Sequence, residues 1–65
     1  MTKAEAIDSI DKGLVIKHPN LKGFLKKCPK STKHFIDHNG NVIDRRTFWR
    51  YRTQPKWQVG WLLKV

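Results

Sequence analysis

The spacing of apolar residues predicts a short helix at the start of the chain. Apolar side chains recur at helical spacing at Ala6, Ile7, Ile10 and Leu14. Thr2 and Glu5 have the spacing of a capping box, in which each side chain bonds a backbone amide of the other. Gly13 is the residue type that commonly follows the last helical turn. We therefore predict a helix over residues 3–12.

Short apolar runs separated by turn residues predict strands in the rest of the chain. The runs cover residues 14–17, 21–28, 34–37, 41–44 and 59–65. Asn39 and Gly40 lie between the third and fourth runs, a pattern typical of a β-hairpin with a type I′ turn. We expect the last strand to direct Trp61 and Leu63 into the core. The pattern predicts an α+β fold in a single domain over residues 1–65, with one N-terminal helix packed on a small antiparallel sheet of four to five strands.

The pattern over residues 45–52 fits either a helix or a strand. Asp44 is a suitable N-cap for a helix, which would place Phe48 and Tyr51 on one face. A strand would instead place Trp49 and Tyr51 on one face. Both structures stay open at this point. In either case we expect two of the four local rings to be buried, the four being Phe48, Trp49, Tyr51 and Trp57.

Charge narrows the class of partner. Fourteen Lys and Arg residues against five Asp and Glu residues give a net charge of +9. Solubility alone requires a net charge of only about 2–8, so this excess implies an anionic partner. The single Cys28 excludes an internal disulfide, and no paired Cys/His spacing suggests zinc. A core this small supplies only about 3–5 kcal/mol, so we expect a homo-oligomer and neither a metal nor a cofactor.

The chemistry of a ligand site is concentrated in residues 45–57, which hold five cations and four aromatic rings and no acid. Arginine binds phosphate through a planar fork, and aromatic rings stack on bases. We predict nucleic-acid or phosphate contacts from Arg45, Arg46, Arg50, Arg52 and Lys56, with Trp49 and Tyr51 as stacking rings. A second basic patch is predicted in an exposed loop over residues 26–33, with phosphate contacts from Lys26, Lys27 and Lys30.

No pattern of residues indicates catalysis. His34 and His38 would share a strand face, but they lack a third metal ligand, and we expect hydrogen-bonded or exposed imidazoles. Asp37 adjoins a turn, and Asp44 is a candidate cap or arginine partner. We therefore expect a protein that is not an enzyme. No segment approaches the roughly 20 apolar residues of a membrane span, so we expect a cytoplasmic protein, in the host cytoplasm if a phage encodes it, with no membrane partner.

Three segments together resemble a known family. They are residues 4–17, 39–41 and 53–61. In this order they resemble the small phage proteins that counter Thoeris defence by sequestering cyclic nucleotide signals. The resemblance implies a short helix on an antiparallel sheet, in an oligomer with ligand pockets between subunits. Leu21 stands where the family has Trp, and Lys56 and Gly60 stand where it has acids, so no binding residue is transferred.

These observations predict a small basic phage or bacterial accessory protein that binds nucleic acid through a basic-aromatic surface. Two alternatives remain open. One is an oligomeric anti-defence protein that sequesters a nucleotide signal, and the other is an inhibitor that binds a host protein. All three require an anionic ligand, and the sequence does not distinguish DNA, RNA, a nucleotide or an acidic protein.

Overall fold

The computed structural model describes residues 1–64; Val65, which ends the predicted last strand, lies outside the described residues. The helices are α1 (Lys3–Asp11) and α2 (Arg45–Arg50), and a 3₁₀ turn spans Pro55–Trp57. The strands are β1 (Ile16–Lys17), β2 (Phe24–Lys27), β3 (His34–Asp37), β4 (Val42–Asp44) and β5 (Leu62–Leu63). The segment that fitted two structures is therefore a helix at its start. Within residues 1–64, no helix is long and apolar enough to cross a lipid bilayer.

The strands form one antiparallel sheet in the order β4-β3-β2-β1-β5. The first four strands form a meander, and β5 returns to pair with β1 at the opposite edge. The predicted fold class, one N-terminal helix on a small antiparallel sheet, is confirmed. The predicted first, second and last strands were too long: β1 and β5 have two residues each and β2 has four.

Local hydrogen bonds fix both ends of α1. The Thr2 hydroxyl accepts the Glu5 amide at 3.2 Å, and the Glu5 carboxylate accepts the Thr2 amide at 2.9 Å, which confirms the capping box. At the other end, the Gly13 and Leu14 amides donate to the last turn in the pattern of a Schellman motif. Gly13 adopts a φ of 87°, which a glycine tolerates without strain.

The predicted β3–β4 hairpin is confirmed, but its predicted turn type is wrong. A type I′ turn needs positive φ at two central residues, whereas only Gly40 has it here, at 82°. The Asp37 amide donates to the Asn41 carbonyl at 3.0 Å, and between these two residues lies a three-residue loop, closed by a Gly40 amide that donates to the Asp37 carbonyl at 3.0 Å. The Asp37 carboxylate also accepts the Asn39 and Asn41 amides at 2.9 Å each, which stabilises this longer loop.

One face of the sheet carries the core. The buried residues are Ala6, Ile10, Ile16, Leu25, Phe35, Phe48, Trp57 and Trp61. Burial of Phe48 and Trp57 confirms the prediction that two of the four local rings enter the core, and Trp61 is buried as predicted. The prediction for Leu63 is wrong: it is 44% exposed, because edge strand β5 has a neighbour on one side only.

The other face of the sheet is open. Its cross-strand rows are Leu62–Lys17–Phe24, Lys26–Ile36–Val42 and His34–Asp44. Both helices and the 3₁₀ turn contribute their buried residues to the core face. Within residues 1–64, no helix therefore covers this second side, which we call the open face.

Candidate nucleic-acid interface

All five acidic side chains have partners inside the molecule. Asp8 pairs with Lys12 at 2.9 Å, and Asp11 pairs with Arg45 at 2.7 Å. The other three accept backbone amides at the two helix starts and in the hairpin loop; they are Glu5, Asp44 and Asp37. These backbone hydrogen bonds lower the pKa of each of the three carboxyl groups below its ordinary value.

The cations are far less engaged than the acids. Of the fourteen Lys and Arg residues, only Lys12 and Arg45 form an ion pair with an Asp or Glu. Within residues 1–64, the other twelve cations form no ion pair with an Asp or Glu. Because the acids are occupied by capping, turn and pairing contacts, the surface potential is strongly positive.

The geometry of α2 separates its arginines into two classes. Asp44 accepts the Thr47 amide at 3.0 Å and fixes the start of the helix. Successive helical residues point about 100° apart. Arg46 and Arg50 each lie two residues from buried Phe48, so they point to the opposite side of the helix, away from the core. Arg45 lies three residues from Phe48 and points to the same side as Phe48. Arg46 and Arg50 are exposed and one helical turn apart, which places them side by side.

Four exposed groups, three cations and one aromatic ring, lie on α2 and in the segment that follows it. Tyr51 follows the helix and is 68% exposed, the most exposed aromatic ring in this segment. Lys56 lies on the 3₁₀ turn and is also exposed. We name Arg46, Arg50, Tyr51 and Lys56 the α2 surface. It keeps three of the predicted phosphate contacts and one of the two predicted stacking rings in contact with solvent.

Two arginines predicted to bind phosphate are instead engaged within the fold. Arg45 has a 19% exposed side chain, pairs with Asp11, and lies 4.7 Å from the centroid of the Phe35 ring. The Arg52 guanidinium lies 4.0 Å from the Phe48 ring centroid and donates to the Phe48 carbonyl at 3.2 Å. Burial lowers the pKa of Arg52. Both cations therefore stabilise the packing of α2.

Trp49, the other predicted stacking ring, forms part of the wall of the core. It packs edge-on against Phe48 at 4.9 Å and Trp61 at 5.4 Å between ring centroids. The Lys3 ammonium lies 4.7 Å from the Trp49 ring centroid. Trp49 is thus held against three rings of the core, Phe35, Phe48 and Trp61, whereas Tyr51 is mostly exposed and has a ring face available to a ligand.

The second predicted patch is divided by the sheet. Lys26 and Lys27 belong to β2, because they pair with Ile36 and Phe35 of β3. This agrees with the predicted strand over residues 21–28 and contradicts the overlapping prediction of an exposed loop over residues 26–33. Adjacent residues of a strand point to opposite faces, so Lys26 lies on the open face and half-buried Lys27 on the core face. Lys30 is exposed in the loop between β2 and β3. The structure therefore does not bring these three lysines together.

The loop before β3 meets the start of α2 and forms a cleft. The Lys33 carbonyl accepts the Arg45 amide at 3.0 Å. The cleft has a volume of ≈ 380 Å³, and its lining residues are Thr32, Lys33, Asp44, Arg45 and Arg46. The sequence pattern did not predict this site. The hairpin register contains the relevant signal, because pairing of His34 with Asp44 places residues 32–33 beside residues 45–46.

A buried histidine supports the turn that carries Lys56. His18 Nδ1 accepts the Asn20 amide at 3.0 Å, so the ring proton is on Nε2. Nε2 lies 2.9 Å from both the Lys56 and Val59 carbonyls, to which it donates. The ring also packs against Trp57 at 4.7 Å between centroids. The sequence pattern did not predict this role of His18.

His34 is hydrogen-bonded, as expected: its Nδ1 lies 2.8 Å from the Ser31 hydroxyl. Within residues 1–64, no group of three His, Cys, Asp or Glu side chains is placed to bind a metal ion. The chemistry that the described surface offers is electrostatic attraction for phosphate and stacking on Tyr51. Comparisons of the chain with protein families, curated proteins and solved structures found no match.

Proposed function

We propose that this protein binds nucleic acid without catalysing a reaction, with phosphate contacts from the α2 surface. The main support for the proposal is a difference between the two kinds of charged side chain. All five Asp and Glu side chains have internal partners, whereas twelve of the fourteen cations have no Asp or Glu partner in the part of the chain that the structure describes. A polyanion neutralises such a field and releases its counterions in return.

The arrangement of α2 supports contact with a phosphate backbone. Arg46 and Arg50 are neighbours on the outward face of the helix, and each guanidinium can bind phosphate through two N–H groups. Lys33 adds a cation on the other side of the cleft. Tyr51 follows the helix and offers an exposed ring to an unpaired base, a contact typically worth about 1–3 kcal/mol.

The number of contacts sets the salt dependence to be measured. Four phosphate contacts, from Arg46, Arg50, Lys56 and Lys33, correspond to a log–log slope of about −2.8 for a single strand. Affinity for a fluorescein-labelled oligonucleotide should then fall about 50-fold between about 50 and 200 mM salt. Fluorescence anisotropy measures this directly. An affinity that is unchanged by salt across this range refutes the proposal.

A pair of charge-matched variants tests the location of the contacts. Arg50→Gln removes one cation from the α2 surface, and Lys12→Gln removes one that is paired with Asp8. We expect Arg50→Gln to reduce the slope by about 0.7 and Lys12→Gln to change it much less. Equal effects of both variants would indicate binding by net charge alone and would exclude a defined α2 surface.

The cleft supports a second candidate function, the sequestration of a small phosphate-bearing nucleotide. Its ≈ 380 Å³ volume is within the usual range of ligand pockets, about 300–1,000 Å³. Lys33 and Arg46 line it as cations without an Asp or Glu partner among the described residues, beside Arg45, which pairs with Asp11, and Asp44, which caps α2. The lining includes no aromatic ring, which favours recognition of the phosphate over the base. Titration calorimetry with cyclic and linear nucleotides tests this function. We expect stoichiometric heat that Lys33→Gln weakens; the absence of heat for wild-type protein rejects this candidate.

A further inference from the structure

The open face carries an aromatic ring surrounded by lysines. None of these residues belongs to the α2 surface. Phe24 of β2 is half-buried and lies near the middle of the open face. Lys17 is the cross-strand partner of Phe24, and Lys26 follows two residues later on the same strand and face. The Lys64 ammonium lies 5.3 Å from the Phe24 ring centroid. The His38 ring is edge-on to Phe24, with 6.3 Å between centroids.

The charge of this face is almost entirely positive. Among its strand residues the single acid is Asp44, at the end of β4. The Asp44 carboxylate accepts the Thr47 amide and caps α2, so it is already engaged. No acid therefore lies next to Phe24 on the neighbouring strands to compensate Lys17 and Lys26.

Aliphatic groups extend the apolar part of the face around Phe24. Leu62 is in the same cross-strand row and is 48% exposed. Ile36 and Val42 form the next row with Lys26, and Val42 is 61% exposed. Because no helix covers these groups within residues 1–64, a ligand can lie flat against them.

We propose that the open face is a second binding surface that takes single-stranded nucleic acid. Phe24 stacks on an unpaired base, and Lys17, Lys26 and Lys64 contact the flanking phosphates. A single strand exposes the flat faces of its bases, which require an apolar platform, and carries phosphates that require the surrounding cations. A duplex conceals its base faces, so it gains only the phosphate contacts. The inference shares its ligand class with the proposed function but uses different residues on the opposite side of the sheet.

Repulsion between lysines makes a second copy of this chain a less suitable ligand of the open face than nucleic acid. Docking two open faces would place three lysines of one copy, Lys17, Lys26 and Lys64, against the same three of the other. Like charges that meet across an interface oppose association. A polyanion neutralises the same lysines, so charge complementarity favours nucleic acid.

The test compares Phe24 variants on single-stranded and duplex ligands. We expect Phe24→Ala to weaken binding of a labelled single strand of about 12 nucleotides by about 5- to 150-fold, the range for loss of one stacked base. Duplex binding should change less than about twofold. Phe24→Leu keeps apolar volume but removes the ring, so it should show the same loss with the fold retained, as measured by thermal unfolding. Val59→Ala alters an exposed apolar residue away from the strands of this face and serves as the matched control.

The outcomes separate this inference from the proposed function. If Phe24→Leu binds the single strand as tightly as wild type while Arg50→Gln weakens binding, the open-face site is refuted and the α2 surface stands. If Phe24→Leu loses the single strand and Arg50→Gln changes nothing, the open face is supported and the α2 surface fails. If Phe24→Leu changes the sedimentation mass and leaves affinity unchanged, the face joins copies of the chain and the inference is overturned.

Discussion

Replacement of His18 by alanine should remove most of the stability of this domain. The imidazole is 5% exposed and connects the turn after β1 to the 3₁₀ turn. It accepts the Asn20 amide at 3.0 Å and donates to the carbonyls of Lys56 and Val59 at 2.9 Å. It also packs against Trp57 and Trp61, each 4.7 Å away between ring centroids.

These contacts set the size of the effect. Alanine leaves the Asn20 amide and the carbonyls of Lys56 and Val59 without their partner, and a buried backbone group left unsatisfied costs about 1–3 kcal/mol. Water can reach part of this site because Asn20, Lys56 and Val59 are all exposed residues, so we take the lower end of that range for each group. The expected loss is about 3 kcal/mol, close to the roughly 3–5 kcal/mol that a core of this size supplies.

Urea unfolding, followed by tryptophan fluorescence and by circular dichroism, measures the loss. His18→Gln retains an amide donor near the position of Nε2, so we expect a smaller loss than for alanine. His38→Ala removes an exposed imidazole and should cost less than about 1 kcal/mol. If His18→Ala unfolds at the same urea concentration as His38→Ala, the three backbone contacts do not stabilise the fold as argued.

Two further predictions follow from the engaged charges. Arg45→Ala should lower the free energy of unfolding by about 1–2 kcal/mol, because it removes the Asp11 ion pair and the packing on Phe35, whereas Arg46→Ala should change it by less than about 0.5 kcal/mol. Chemical unfolding of both variants tests this, and equal effects would contradict the division of α2 into inward and outward arginines. Backbone hydrogen bonds lower the pKa of Asp37 and Asp44 from 3.8 and of Glu5 from 4.5. The unfolded chain therefore protonates these three carboxylates at a higher pH than the folded protein does. Stability should be full above these ordinary values and fall as pH decreases through the lower folded values, and Asp44→Asn should flatten that decline in urea unfolding measured against pH.

Features of the fold that depend on near neighbours could be read from the sequence. The capping box of α1 lies within residues 2–5, and the Asn39–Gly40 turn lies between two apolar runs, so both signals are local. The return of β5 to β1 has no such signal, because it pairs Leu62 and Leu63 with Lys17 and Ile16, more than 40 positions earlier in the chain. The turn type was misread because the Asp37 carboxylate, which binds two loop amides, outweighed the preference of Asn-Gly.

The candidate site was predictable in composition but not in arrangement. Counting charges identified the basic segment, yet Arg45 and Arg46 are adjacent in sequence and differ in exposure because α2 rotates them about 100° apart. That difference becomes visible only after helix and strand have been distinguished. On the open face, Phe24 and Lys26 alternate with Leu25 in the sequence, but the approach of Lys17 and Lys64 comes from pairing between distant strands.

The position of Trp61 in the chain affects when the fold can be completed during synthesis. Trp61 is fully buried, and its backbone bonds Met1, sixty positions away. The β2–β3–β4 meander and α1 can be translated in full before Trp61 exists, but their shared core then lacks its largest buried side chain. Contacts with such long sequence separation form late because the loop they close is costly in entropy. A nascent chain of this protein therefore remains incompletely folded, with its lysines and arginines already exposed, until almost all of the described residues have been made.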